Sequence, residues 1–147
     1  MTVEADASVV RVPVPTETTG PGGRTNAYLV DGAAGTVLVD PGARTPALEA
    51  AVGDRTVTDV AVTHAHPDHV GGVAAYATET DATVWARRGR EARFEAATGH
   101  TPDRTFVEGT TVGGLSVLDL PGHAPDHVAF ATGRGLLSGD LAFASGS

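Results

Sequence analysis

The segment Thr63-His64-Ala65-His66-Pro67-Asp68-His69 decides how this chain is read, because residues 64–69 bring three imidazoles and a carboxylate together. In an extended segment alternate side chains share a face, so His64 and His66 project together toward one metal ion. Pro67 turns the chain. Asp68 and His69 follow at the mouth of a helix, leave in a different direction and reach a second ion nearby. Neutral imidazole and carboxylate are the donors zinc accepts where no thiolate is at hand, and the chain has no cysteine. With this composition such a string arises by chance in roughly one sequence in a thousand, which weighs against an exposed polar loop with incidental histidines. A second segment, Pro121-Gly122-His123-Ala124-Pro125-Asp126-His127, places five of the six histidines in two short stretches.

The surroundings of the first segment predict a strand, a loop and a helix. Val57–Thr63 has the pattern of a buried strand, and His69–Thr78 that of a helix carrying Val73, Tyr76 and Ala77. Upstream, Ser8–Pro15 alternates valine with polar residues until its prolines close it. Thr16–Arg24 is a loop. Thr25–Val30 and Thr36–Asp40 are apolar runs joined by Asp-Gly-Ala-Ala-Gly, which predicts a hairpin. Thr45 and Pro46 open a short helix over Thr45–Val52 that Gly53 ends. Downstream come a strand at Ala82–Trp85, a charged helix at Ala86–Thr98, and strands at Thr111–Leu120, Val128–Thr132 and Gly135–Ser138. Hairpins first and strands alternating with helices later predict an α/β fold with a mixed sheet covered by helices, in one domain over 1–147.

Composition narrows the function. The 147 residues carry a formal charge of −8, with 18 acids against ten cations that are all arginine. Contacts to a polyphosphate backbone need clustered lysine and arginine, so this balance argues against nucleic acid and for a small-molecule substrate. Acidity without lysine matches the halophile-like surfaces of proteins from salty cytoplasms, and a G+C-rich genome would deplete lysine and isoleucine in the same way. The absence of cysteine excludes disulfides, iron–sulfur clusters and cysteine nucleophiles. Met1–Val10 carries acids rather than a basic region followed by an apolar stretch, and no run is long enough to span a bilayer. A cytoplasmic protein without a membrane partner is the expectation.

The string at 63–72, Thr-His-Ala-His-Pro-Asp-His-Val-Gly-Gly, resembles the signature of the metallo-β-lactamase fold hydrolases, and the glyoxalase II-like branch in particular. Asn26-Ala27-Tyr28-Leu29-Val30 and Leu38-Val39-Asp40-Pro41-Gly42 are similar to the family's opening hairpin, Pro121-Gly122-His123 to the segment supplying the next histidine, and Ser138-Gly139-Asp140 to the strand end supplying a bridging aspartate. The resemblance implies an αββα four-layer sandwich and a binuclear zinc site, with iron or manganese as the alternative metals. His64, His66 and His123 would hold one ion and leave a position for water, while Asp68, His69 and bridging Asp140 would hold the other. Asp40 and His127 would support ligands by hydrogen bonds from behind. The family's last ligand is a histidine well beyond the bridging aspartate, and this sequence stops at Ser147, so the resemblance implies a domain incomplete at its C-terminus, with a homodimer as one way to cover an open sheet edge.

The implied activity is hydrolysis of an ester-like bond, thioester or lactone, by a metal-bound hydroxide, with Asp68 orienting the nucleophile and shuttling its proton. The competing readings are a phosphodiesterase or nuclease of the same fold, an iron-dependent oxidation of a thiol-derived substrate, and a non-catalytic truncated metal-binding piece. Asp40 also suits a plain Asp-Pro-Gly turn, and His100 a surface position. In the helix predicted at Ala86–Thr98, Arg87 and Glu91 would pair at i, i+4, with an anion-binding rim at Arg88 and Arg90 as the functional alternative.

Overall fold

The computed structural model describes residues 8–15, 24–32, 35–42, 45–63, 71–119, 128–132 and 135–137. β1 (Ser8–Pro15), β2 (Arg24–Asp31), β3 (Thr36–Val39), β4 (Val57–Ala61), β5 (Thr83–Arg87) and β6 (Arg104–Phe106) form one sheet in that spatial order. β7 (Thr111–Val112), β8 (Leu115–Asp119), β9 (Val128–Thr132) and β10 (Gly135–Leu137) form a second, ordered β10-β9-β8-β7. The first sheet is antiparallel from β1 to β3 and parallel from β3 to β6. Each parallel step is made by a helix: α1 (Pro46–Val52), α2 (Val73–Thr80) and α3 (Glu91–Thr98). The mixed α/β fold expected from the sequence is what the chain adopts.

Two cores define the layers. Along β2, Ala27 and Leu29 turn to the helix side, where Leu48 of α1, Val73 and Tyr76 of α2 and Phe94 of α3 meet them. Val30, from the other face of the same strand, packs with Val37, Val39 and Ala61 against Val117, Val128 and Phe130 of the second sheet. The described residues thus stack a helix layer on the first sheet and the first sheet on the second. The pairing of β3 with β4 shifts between Thr36 and Val37, whose partners are Val57 and Asp59. Thr58 is the extra residue of this bulge, which reverses the facing of β4. Val57 therefore joins the helix-side core and Ala61 the core between the sheets.

Local chemistry sets the boundaries. Thr45 caps α1, its hydroxyl accepting from Leu48 N at 3.1 Å, Pro46 takes the first helical turn and Gly53 closes the helix. The expected hairpin of β2 and β3 and the strand at Ser8–Pro15 are present.

Four expectations need correction. The single strand over Thr111–Leu120 is two, β7 and β8, with Val112 opposite Leu115 and Gly113-Gly114 as the loop. Both glycines have positive φ, 55° and 94°, as a two-residue hairpin turn of the primed kind requires. The helix expected to start at Ala86 starts at Glu91, because β5 runs on through Arg87, paired with Phe106, and Gly89 turns the chain at φ 89°. Arg87 and Glu91 therefore form no helical i, i+4 pair; Glu91 accepts the Gly89 N–H at 2.9 Å instead. The described helix after the first histidine segment runs over Val73–Thr80 rather than ending at Thr78, and stops at Asp81 with φ 60°. β6 was not expected at all. Among the described residues no helix is long and apolar enough to cross a membrane.

Candidate metal centre

Parallel pairing puts the C-terminal ends of β3, β4 and β5 side by side, the end of an α/β sheet where ligands bind. The chain leaves β3 through Asp40, a non-glycine residue at φ 54° that is fully buried. Aspartate tolerates the left-handed region better than most side chains. Asp40 N donates to Ala61 O at 3.0 Å, which ties the exit of β3 to the end of β4.

The Asp40 carboxylate then takes hold of Thr63, accepting the Thr63 N–H on Oδ1 at 2.7 Å and the Thr63 hydroxyl on Oδ2 at 2.7 Å. Thr63 is buried and immediately precedes His64. Its carbonyl accepts from Val128 N at 2.7 Å, and Val128 is the first residue after His127. On the far side of the first histidine segment, Gly72 N donates to Pro41 O at 2.7 Å. β10 pairs antiparallel with β9, Leu137 opposite Phe130, so β10 runs toward the end at which β9 begins with Val128. The flanks of every stretch that carries an expected ligand are thus gathered at one end of the two sheets. Tyr28 stands opposite Val39 on the neighbouring strand. Burial pushes its phenol pKa up, Arg11 opposes this and the Asp40 carboxylate adds to it.

Of the expected site residues, Asp40 lies within the described residues, and it grips the residue that leads into His64. His64, His66, Asp68, His69, His123, His127 and Asp140 lie outside the described residues. Among the described residues no group of three or more His, Cys, Asp or Glu could hold a metal. The donor types fit a pair of divalent ions, being imidazoles and carboxylates without thiolate, and the five main-chain and carboxylate hydrogen bonds gather the described flanks of the two histidine segments at one end of the sheets. His100 follows α3 beside the start of β6, at the opposite end of the parallel strands, where its N–H donates to Thr98 Oγ1 at 3.0 Å. Sequence reasoning missed Thr63, whose only signal was a hydroxyl residue directly before the first histidine.

The model of the metallo-beta-lactamase superfamily matches residues 20–147. The chain belongs to this superfamily. Among its curated relatives, the hydroxyacylglutathione hydrolase of Methylobacillus flagellatus is 37% identical over 111 residues, covering 75% of this chain and 44% of that protein. The counterpart from Stenotrophomonas maltophilia is 36% identical over 119 residues, 80% of this chain and 46% of that protein. This metallo-beta-lactamase superfamily chain therefore spans less than half the length of the curated relatives it matches. The di-iron-bound crystal structure of TTHA1623 shares 37% identity at a TM-score of 0.72, covering 90% of this chain and 73% of that one.

Proposed function

We propose that this superfamily member is a metal-dependent hydrolase of ester-like bonds, with a thioester of a small hydroxy acid as its leading substrate. The observation that carries the reading is Thr63, held by Asp40 on one side and by Val128 N on the other, at the roots of both histidine segments. His64, His66 and His123 would hold one ion and Asp68, His69 and Asp140 a second. Bound there, the ions would supply the Lewis acidity that brings a water toward ionisation near neutral pH and takes up charge from the carbonyl oxygen. Asp68 would orient the attacking water and pass its proton to the leaving thiolate, so that the acyl carbon gains oxygen as its bond to sulfur breaks. Curated relatives carrying the hydroxyacylglutathione hydrolase name support the thioester class. Zinc suits the donor set, and the di-iron neighbour makes iron the second candidate. Eighteen acids against ten cations weigh against a phosphodiester of nucleic acid.

The test is turnover of a hydroxyacyl glutathione thioester by the purified chain loaded with zinc or with iron, beside an aryl phosphodiester as the competing substrate. The thioester should be hydrolysed, and His66→Ala and Asp68→Ala should each abolish the reaction while the far-ultraviolet circular dichroism stays unchanged. Retained activity in both variants would sink the assignment, and preferential turnover of the phosphodiester would replace the substrate class. Light scattering on the same sample distinguishes a monomer from the proposed homodimer.

A further inference from the structure

The tie between Thr63 O and Val128 N joins the two sheets through the main chain, and a second tie lies directly beside it. Arg87 ends β5 and Asp119 ends β8. Arg87 Nε meets Asp119 Oδ1 at 2.9 Å and Arg87 Nη2 meets Asp119 Oδ2 at 3.0 Å, a fork-on-fork pair that fixes direction as well as distance. Both partners are anchored in turn: Arg87 Nη1 donates to Arg88 O at 2.9 Å, and Asp119 N donates to Glu108 Oε1 at 3.1 Å. The strand registers make these ties neighbours. Ala61 opposes Trp85, with Thr63 and Arg87 each two residues further along these parallel strands' paths, and Asp119 opposes Val128. Thr63, Arg87, Asp119 and Val128 are the four corners of one joint between the sheets, with His64 one residue past the first corner and His127 one residue before the last.

From this we infer that Arg87 and Asp119 are positioning residues, a clamp that sets where the chain departs toward His123 relative to the chain that departs toward His64. The inference rests on the metal reading above. A partly exposed ion pair adds little to stability, and these side chains are 23% and 33% exposed, so the clamp's effect is on ligand placement. The molecule holds its own control. Arg55 and Asp31 form a pair of the same length, 2.9 Å, with similar exposure, 32% and 34%, at the opposite end of the same sheet, where β2 ends and β4 begins.

The experiment compares the full chain with Arg87→Lys, Asp119→Asn and Asp31→Asn. Zinc affinity is read by competition with a chromophoric chelator, and ligand geometry by the visible bands of the cobalt-substituted chain. Arg87→Lys keeps the charge and loses the fork, and Asp119→Asn keeps the shape and loses the charge. Both are expected to weaken zinc about tenfold, as loss of supporting contacts around metal ligands does, and to change the cobalt bands. Asp31→Asn, which breaks a pair of the same length and similar exposure, is expected to leave both metal readouts where they were. Unchanged affinity and bands in both clamp variants overturn the clamp while leaving the metal centre standing, and so does an equal loss of affinity in Asp31→Asn. A wild-type chain that takes up neither zinc nor cobalt overturns the metal centre and the clamp together.

Discussion

Asp40 holds Thr63 by both of its backbone-side and side-chain donors, N–H on one carboxylate oxygen and hydroxyl on the other, each at 2.7 Å. Neither residue is exposed to solvent, so water does not replace these bonds when they are lost. Buried hydrogen bonds to a charged group are worth roughly 1.5 to 3 kcal/mol each. Asp40→Ala should therefore destabilise the chain by on the order of 3 kcal/mol or more. Asp40→Asn should cost less, since asparagine keeps one acceptor oxygen and tolerates the φ of 54°. Thr63→Val should cost roughly 2 kcal/mol, with most of it restored in Thr63→Ser. Urea unfolding measures all four, and an Asp40→Ala chain as stable as wild type would remove Asp40 as the support of this loop.

Gly113 and Gly114 share a turn but not an environment. A Cβ on Gly113 would lie 2.3 Å from Val37 Cγ2 and 3.2 Å from Asp59 Oδ2, whereas a Cβ on Gly114 would meet nothing within 4 Å. Gly114→Ala should cost only the left-handed backbone penalty, about 1 to 2 kcal/mol. Gly113→Ala incurs that penalty and a clash with the core between the sheets, a further 1 to 3 kcal/mol or about that. Equal melting temperatures for the two variants would show that the hairpin does not press on Val37.

That turn also shows where the sequence was legible and where it was not. Ser8–Pro15 announced its strand by alternation, Val10 and Val12 packing on the helix side with exposed Arg11 between them, and the run around Leu38 announced its own by being apolar on both faces, while Thr45-Pro46 announced α1 through capping chemistry that is local. Gly113-Gly114 hides inside a run of strand-forming residues, and its one mark is a slip in the alternation: Val112 and Leu115, three positions apart, face the same core as Val117. Arg87 reads as helical from sequence because arginine and glutamate at i, i+4 mimic a helical pair. Its real partner, Asp119, lies on another sheet, and no local pattern reports a contact made by strand order. The site was legible in kind, through the histidine spacing and the family likeness. Its support was half legible: Asp40 was singled out, but the residue it grips depends on the parallel pairing of β3 and β4, which brings positions far apart in sequence to adjacent strand ends.

The pKa of the Asp31 carboxylate is displaced downward. Burial works to raise it, but the hydrogen bonds from Arg55 and Thr36, with the Arg55 charge, hold it below the ordinary carboxylate range. A group with a depressed folded pKa stabilises the chain above its unfolded pKa, near 3.9, and loses that contribution as pH falls through the folded value. Stability should therefore fall with acidification below about pH 4, and Asp31→Asn should flatten that part of the curve. At neutral pH the same variant should lose under about 1 kcal/mol, because a pair exposed by a third is screened. An unchanged acid slope in Asp31→Asn would place the acid sensitivity elsewhere.

The two sheets meet through Phe106 and Phe130, whose rings pack edge to face with centroids 5.6 Å apart and planes at 81°. Both are buried, one from each sheet. Phe130→Ala should cost about 3 to 5 kcal/mol, and so should Phe106→Ala. The double variant should lose less than the sum by about 0.5 to 1.5 kcal/mol, the part of the energy that belongs to the ring pair itself. Phe94 fills the other core, between helices and sheet, and shares no partner with Phe130. Phe94→Ala combined with Phe130→Ala should therefore be additive within about 0.5 kcal/mol. Chemical denaturation of the three single and two double variants separates the cases. A coupling between Phe94 and Phe130 as large as that between Phe106 and Phe130 would mean that the first sheet transmits strain from one face to the other, and that the two cores do not act as independent layers.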